Sequence, residues 1–226
     1  MCGRYTLTVP GDLLAAAFGV EAAGPVAGLP ARYNVAPGQQ VPIVRRREDG
    51  GRDLALARWG LVPHWAKESA IGNRMINARG ESVAEKPSFR TAFRRHRCLI
   101  PADGFYEWQA TAGGKQPWLL RLRGGELFAF AGLESRWIDP ATREPLDTCA
   151  IVTTAPNELA ATVHDRMPVI LAPADYALWL GEAGDGRDPA ALLAPIPADR
   201  MEAWPVSRQV NRPAVDDPSL ILPAAG

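Results

Sequence analysis

Apolar positions along the chain fall into short blocks, and Pro or Gly interrupts the chain between most of them. The blocks DLALARWGLV (53–62), DTCAIVTT (147–154) and MPVIL (167–171) are strand-length and rich in branched and aromatic side chains. RCLIPADGFYEWQ (97–109) reads as strand with a break between Pro101 and Gly104, and MEAWPVS (201–207) as a final strand. PWLLRLR (117–123) and ELFAFAGLES (126–135) flank Gly124 and Gly125, which is the clearest hairpin signal in the chain. Helical patterning is confined to small pieces. GDLLAAAFG (11–19) predicts a short helix capped by Asp12 and ended by Gly19. PNELAATVHDR (156–166) holds a turn or two after an Asn157 cap, and PADYALWLG (173–181) starts on Pro and stops on Gly. DPAALLAP (188–195) is another short helix, while 20–44 is rich in Pro and Gly and reads as mostly irregular chain. There is no internal repeat, heptad run or regular strand–helix alternation. The pattern predicts an α+β, mainly β fold, one domain over 1–226 with small helices at its edge.

Composition narrows the class. A chain of 226 residues buries roughly 70% of its unfolded surface and needs no covalent staples. Its three cysteines, Cys2, Cys98 and Cys149, are odd in number and far apart, which argues against a disulfide framework. Cys98 and Cys149 sit in apolar strands and read as buried, inert thiols. No CxxC or HxxxH spacing suggests a metal, and no cofactor is called for. The 25 basic and 25 acidic side chains cancel, so any nucleic-acid surface must be local. The basic runs are RRRE (45–48) and RTAFRRHR (90–97); such runs are usually solvated faces, and the second is a candidate track for a DNA backbone. The start lacks a signal-peptide pattern and no run of ~18 apolar residues could span a bilayer, so a soluble, reduced, cytoplasmic protein is expected.

The opening MCGRY carries the most unusual chemistry. A small residue at position two favours removal of Met1, which leaves Cys2 with an α-amine and a thiol on adjacent carbons. An α-amine titrates near pH ~7.7–8.0, so a useful fraction is neutral at pH 7. A neutral amine attacks an aldehyde to give an imine, and the adjacent thiol can close on the imine carbon as a thiazolidine. N-terminal-nucleophile amidotransferases also begin Met-Cys-Gly and use the thiol as nucleophile. A cysteine that arises by chance at the second codon is the third reading.

Four further stretches accompany MCGRY: RYNVAPGQ (32–39), MINARGE (75–81), PADGFYEW (101–108) and VHDRMPVIL (163–171). In this order, with WPVSRQVN (204–211) behind them, they closely resemble the SRAP family, the SOS-response-associated peptidases. The resemblance covers nearly the whole chain, whereas the amidotransferases share only the first three residues. It implies a compact SRAP-type domain with a β-barrel-like core and a positively charged groove. It also implies a monomer that acts on single-stranded DNA containing abasic sites, without membrane attachment and associated with the nucleoid when bound. After loss of Met1, Cys2 would form a thiazolidine crosslink with the ring-opened abasic deoxyribose, shielding the lesion.

Roles follow by position. Glu107 and His164 match the proton-transfer pair, and their residue types suit it, since a carboxyl among aromatics is raised and an imidazole titrates near neutrality. Asn77 is placed against the terminal amine and the sugar. Arg4, Arg79 and Arg166 are the phosphate candidates, because guanidinium forks match phosphate oxygens. Asn34 and Pro37 fall on the DNA side, and Trp65 and Trp108 are stacking candidates. His64 and Ala66 flank Trp65 where relatives carry paired aromatics, which weakens stacking there. Trp59, Trp118, Trp137, Trp179 and Trp204 read as packing residues, and His64 and His96 as surface or packing residues. Besides covalent capture, two readings stay open. One is an amidohydrolase or peptidase using the Cys2 thiol, and the other a non-covalent binder of modified DNA.

Overall fold

The computed structural model describes residues 2–20, 26–184 and 186–224. Among the described residues thirteen strands build two sheets. They are β1 (Arg4–Leu7), β2 (Arg32–Val35), β3 (Gln40–Arg46), β4 (Arg52–Trp59), β5 (Asn77–Arg79), β6 (Arg97–Ala102) and β7 (Gly104–Thr111). They continue with β8 (Gly114–Leu122), β9 (Phe128–Ile138), β10 (Pro145–Thr154), β11 (Met167–Pro168), β12 (Ile170–Leu171) and β13 (Met201–Pro205). The helices are short: α1 (Gly11–Phe18), α2 (Arg90–Arg95), α3 (Glu158–Ala161) and α4 (Tyr176–Leu180). Among the described residues no helix is long and apolar enough to cross a membrane.

The larger sheet closes on itself. β10 pairs β4, β4 pairs β3, β3 pairs β6, β6 pairs β9, and β9 returns to β10. That ring is the barrel-like core the resemblance implied, and closure leaves its five strands no free edge. Gly132 on β9 shows how tightly it is packed: a Cβ there would lie 2.7 Å from Cys98 Sγ and 2.8 Å from Ile100 Cγ1. Cys98 and Cys149 are fully buried in this core, and burial raises both thiols, as expected of inert cysteines. The second sheet, in order β13-β8-β7-β1-β2, is antiparallel throughout. Tyr5 on β1 joins the two. Its buried ring meets Trp59 edge-on at 5.3 Å and Phe130 at 5.7 Å, contacts worth about 0.5–1.5 kcal/mol each beyond area burial.

Several expectations change. Gly124 and Gly125 do not make a hairpin, because β8 lies in the second sheet and β9 in the barrel. Their positive φ values, 77° and 70°, turn the chain from one sheet to the other. The break expected inside 97–109 is a crossover of the same kind, at Asp103 between β6 and β7. Segment 20–44 is mostly irregular outside two strands, β2 and most of β3, with 21–25 outside the described residues. Pro42 is tolerated because it lies outside Val44 and Arg45, the two residues β3 shares with β6. The cap of α1 is Pro10, with Asp12 in the first turn, while Gly19 ends the helix in a left-handed conformation as read. Asn157 does cap α3, its side chain accepting from the Ala160 amide. Trp59, Trp137 and Trp179 are buried and each donates its indole N–H to a backbone carbonyl. Trp118 and Trp204 are half-buried, with indole N–H bonds to Gln109 and Ile221.

Candidate active site

The site is assembled by strand register. β1 pairs β7 with Arg4 opposite Tyr106 and Thr6 opposite Gly104, so the chain start runs toward Glu107. Asp103 fixes that register. Its buried carboxylate accepts from Thr6 Oγ1 at 2.5 Å, the Thr8 amide at 2.6 Å and Thr8 Oγ1 at 2.5 Å. Glycine is required beside it, since a Cβ on Gly104 would meet Thr6 Oγ1 at 2.8 Å.

Cys2 is fully buried. Asn77, carried on β5 by parallel pairing with β10, donates from Nδ2 to the Cys2 carbonyl at 2.8 Å. Asn77 Oδ1 is buried with no hydrogen-bond partner among the described residues, which leaves an acceptor beside Cys2. Burial, reinforced by the Glu107 carboxylate, pushes the Cys2 thiol well up. Glu107 is only 3% exposed, and burial lifts its carboxyl from the ordinary 4.5 to about 7.

His164 faces Glu107 with Nε2 3.9 Å from Oε2, too long for a hydrogen bond but within reach of one after a small shift. Its Nδ1 has two claimants: the Arg166 amide donates to it at 3.1 Å, and Asp165 Oδ1 lies 2.9 Å away. A neutral ring satisfies the amide, and a protonated ring donates to Asp165. Burial lowers the His164 pKa, so the neutral ring prevails at pH 7. A cavity of about 330 Å³ opens on this pair, lined by Glu107, Trp108, Lys115, His164 and Asn211. Trp108 Nε1 donates to Asn211 Oδ1 at 2.7 Å, which fixes one wall.

Cys2, Asn77, Glu107 and His164 therefore converge, and Trp108 joins them. The remaining candidates divide. Arg4 donates to Asn34 Oδ1 at 3.1 Å and to the Val210 carbonyl at 2.6 Å. Asn34 is fully buried and its amide donates to the carbonyls of Val210, Arg212 and Val215. Together they clamp the segment that carries Asn211. Arg166 is held by both carboxylate oxygens of Glu81 and by the Thr153 carbonyl at 2.8 Å. Arg79 is exposed and Pro37 half-buried. Trp65, 51% exposed, lines a different and larger cavity of about 630 Å³, together with Arg45, Arg46 and Arg47 of the first basic run, His64 and His96. Asp103 and Asn211 lie inside the motifs with no role that their residue type announces, and Lys115 follows a Gly-rich turn outside any motif. Among the described residues no cluster of three or more His, Cys, Asp or Glu side chains could hold a metal.

The fold and site define a class: a barrel-centred β protein that buries its own second residue, a cysteine, beside a raised carboxyl and a neutral imidazole. The chain belongs to the SOS response associated peptidase (SRAP) family, whose model matches residues 1–213. It is 44% identical over 223 residues to the abasic site processing protein YoqW of Bacillus subtilis, covering 98% of this chain and 99% of that one. It is 29% identical over 194 residues to the abasic site processing protein YedK of Escherichia coli, covering 85% and 84%. A crystallised protein from Bacteroides thetaiotaomicron superposes with a TM-score of 0.90 at 26% identity, covering 99% of this chain and all of that one.

Proposed function

We propose that this protein processes abasic sites in single-stranded DNA by capturing the sugar aldehyde on Cys2. The relatives named for abasic-site processing support the substrate class, and the geometry around Cys2 supports the route. Loss of Met1 frees the Cys2 amine. The amine attacks C1′ of the ring-opened sugar and gives a carbinolamine, which loses water to form an imine. The Cys2 thiol adds to the imine carbon and its proton passes to nitrogen, closing the thiazolidine with a net loss of one water.

Each step moves a proton, and Glu107 is the observation that carries the reading. Burial holds its carboxyl near 7, so both protonation states are populated at neutral pH, as an acid that also serves as a base requires. The protonated form assists departure of the carbinolamine hydroxyl. Neutral His164 accepts the proton released as the sugar hemiacetal opens. Asn77 holds the Cys2 backbone so that the amine addresses one place.

The amidohydrolase reading needs a Cys2 thiolate, and the buried thiol is pushed the other way. The amine-first route starts from a neutral amine and a neutral thiol. Substituting Cys2→Ser separates the two. Crosslinking to an abasic strand, read on a denaturing gel, is expected to lose its heat-stable product, because an oxazolidine reverses readily. A Cys2→Ser protein that still forms the full heat-stable product would refute capture through the aminothiol.

A further inference from the structure

The phosphate-binding side chains expected from the sequence are largely committed elsewhere. Arg4 is spent on Asn34 and Val210, and Arg166 on Glu81 and Thr153. Yet an abasic sugar seated at Glu107 and His164 brings a phosphodiester on each side of it. Lys115 is the one Lys or Arg among the described residues lining that cavity. Its side chain is exposed, and its charge is felt at the His164 ring. We infer that Lys115 binds a phosphate next to the abasic sugar and seats the strand over Glu107 and His164.

The backbone is built to hold it there. Lys115 lies on β8 opposite Ala110 of β7, just past a hairpin whose turn is fastened on two sides. Gln109 Nε2 donates to the Thr162 carbonyl at 2.8 Å, tying the hairpin to the segment that leads into His164. Arg208 donates to the Gly113 carbonyl at 3.2 Å, tying the tip to the segment that carries Asn211. The base of the side chain is therefore fixed relative to three other walls of the cavity. Its flexible stem lets the ammonium reach either flanking phosphate. The sequence offered no signal for this, because the position follows an ordinary Gly-Gly turn.

The inference rests on the proposed handling of abasic strands, and its test separates the two. Binding is measured on a single strand containing a tetrahydrofuran site, which has no aldehyde to capture. Each single-strand phosphate contact contributes a slope of about 0.7 in log affinity against log salt. Lys115→Ala is expected to flatten the wild-type slope by about 0.7, so that between 50 and 200 mM salt its affinity falls ~2.6-fold less. Lys115→Arg should keep the slope. A neutral methylphosphonate in place of the contacted phosphate should weaken the wild type and leave Lys115→Ala unaffected. An unchanged slope in Lys115→Ala, or an equal methylphosphonate penalty in both proteins, overturns the assignment. Failure of the wild type to crosslink an aldehyde-bearing strand counts against the capture reaction instead, and leaves the salt slope readable.

Discussion

Replacing Glu107 by Gln is expected to make the protein more stable and less active, and pH separates the causes. Moving the carboxyl from 4.5 to about 7 costs the folded state about 3 kcal/mol once both folded and unfolded forms are ionised. Between these values the folded protein keeps a proton that the unfolded chain has released. Stability contributed by this group therefore falls as pH rises through that window and levels off above 7. Integrated over the titration, the penalty is about 1 kcal/mol at pH 5 and about 3 kcal/mol at pH 8. Glu107→Gln removes it at both. The cost of seating a buried amide is the same at both pH values, so it cancels in the comparison. Urea unfolding should show the variant gaining about 2 kcal/mol on the wild type between pH 5 and pH 8, or roughly 4–8 °C in melting temperature. The same substitution should slow adduct formation by ~10²–10⁴-fold while binding to a tetrahydrofuran strand stays intact. A stability gap that does not widen with pH would refute the buried, raised carboxyl and the acid–base role built on it.

Two further substitutions probe how the site is held. Asn77→Ala removes the bond to the Cys2 carbonyl, worth about 1 kcal/mol, and should slow adduct formation about fivefold in single-turnover kinetics; an unchanged rate would mean that Cys2 is positioned without it. Asp103→Ala deletes the carboxylate that three donors share, Thr6 Oγ1 on β1 and the amide and hydroxyl of Thr8 just past it. It should lower unfolding free energy by about 3 kcal/mol in urea and raise amide exchange along Arg4–Leu7, whereas exchange unaltered in β1 would show that the register is set elsewhere.

The strands richest in branched and aromatic residues were legible, as in 53–62 and 147–154, because a packed sheet face needs those side chains. What the sequence could not convey was partner choice. Gly124 and Gly125 announce positive φ, but the same backbone freedom serves a hairpin or a passage between sheets. Pro37, Gly38 and Pro42 read as breakers, yet β2 and β3 form around them because each proline falls where no ladder bond is needed. The site shows the same division. Cys2, Asn77, Glu107 and His164 were visible as motif residues, but their meeting depends on the β1–β7 and β5–β10 registers, which no local pattern states. Residue type alone does not convey that Arg4, Asn34 and Arg166 also hold the protein together, through bonds to Val210, Val215, Glu81 and Thr153.

The central claim is that Cys2 captures an aldehyde through both its amine and its thiol. The most direct measurement is the intact mass of the purified protein before and after mixing with a single strand carrying one abasic site. The account predicts a protein lacking Met1, followed by a heat-stable species equal to protein plus strand minus one water. Loss of Met1 with no such species would contradict it, and retention of Met1 would leave Cys2 without the amine on which the chemistry depends.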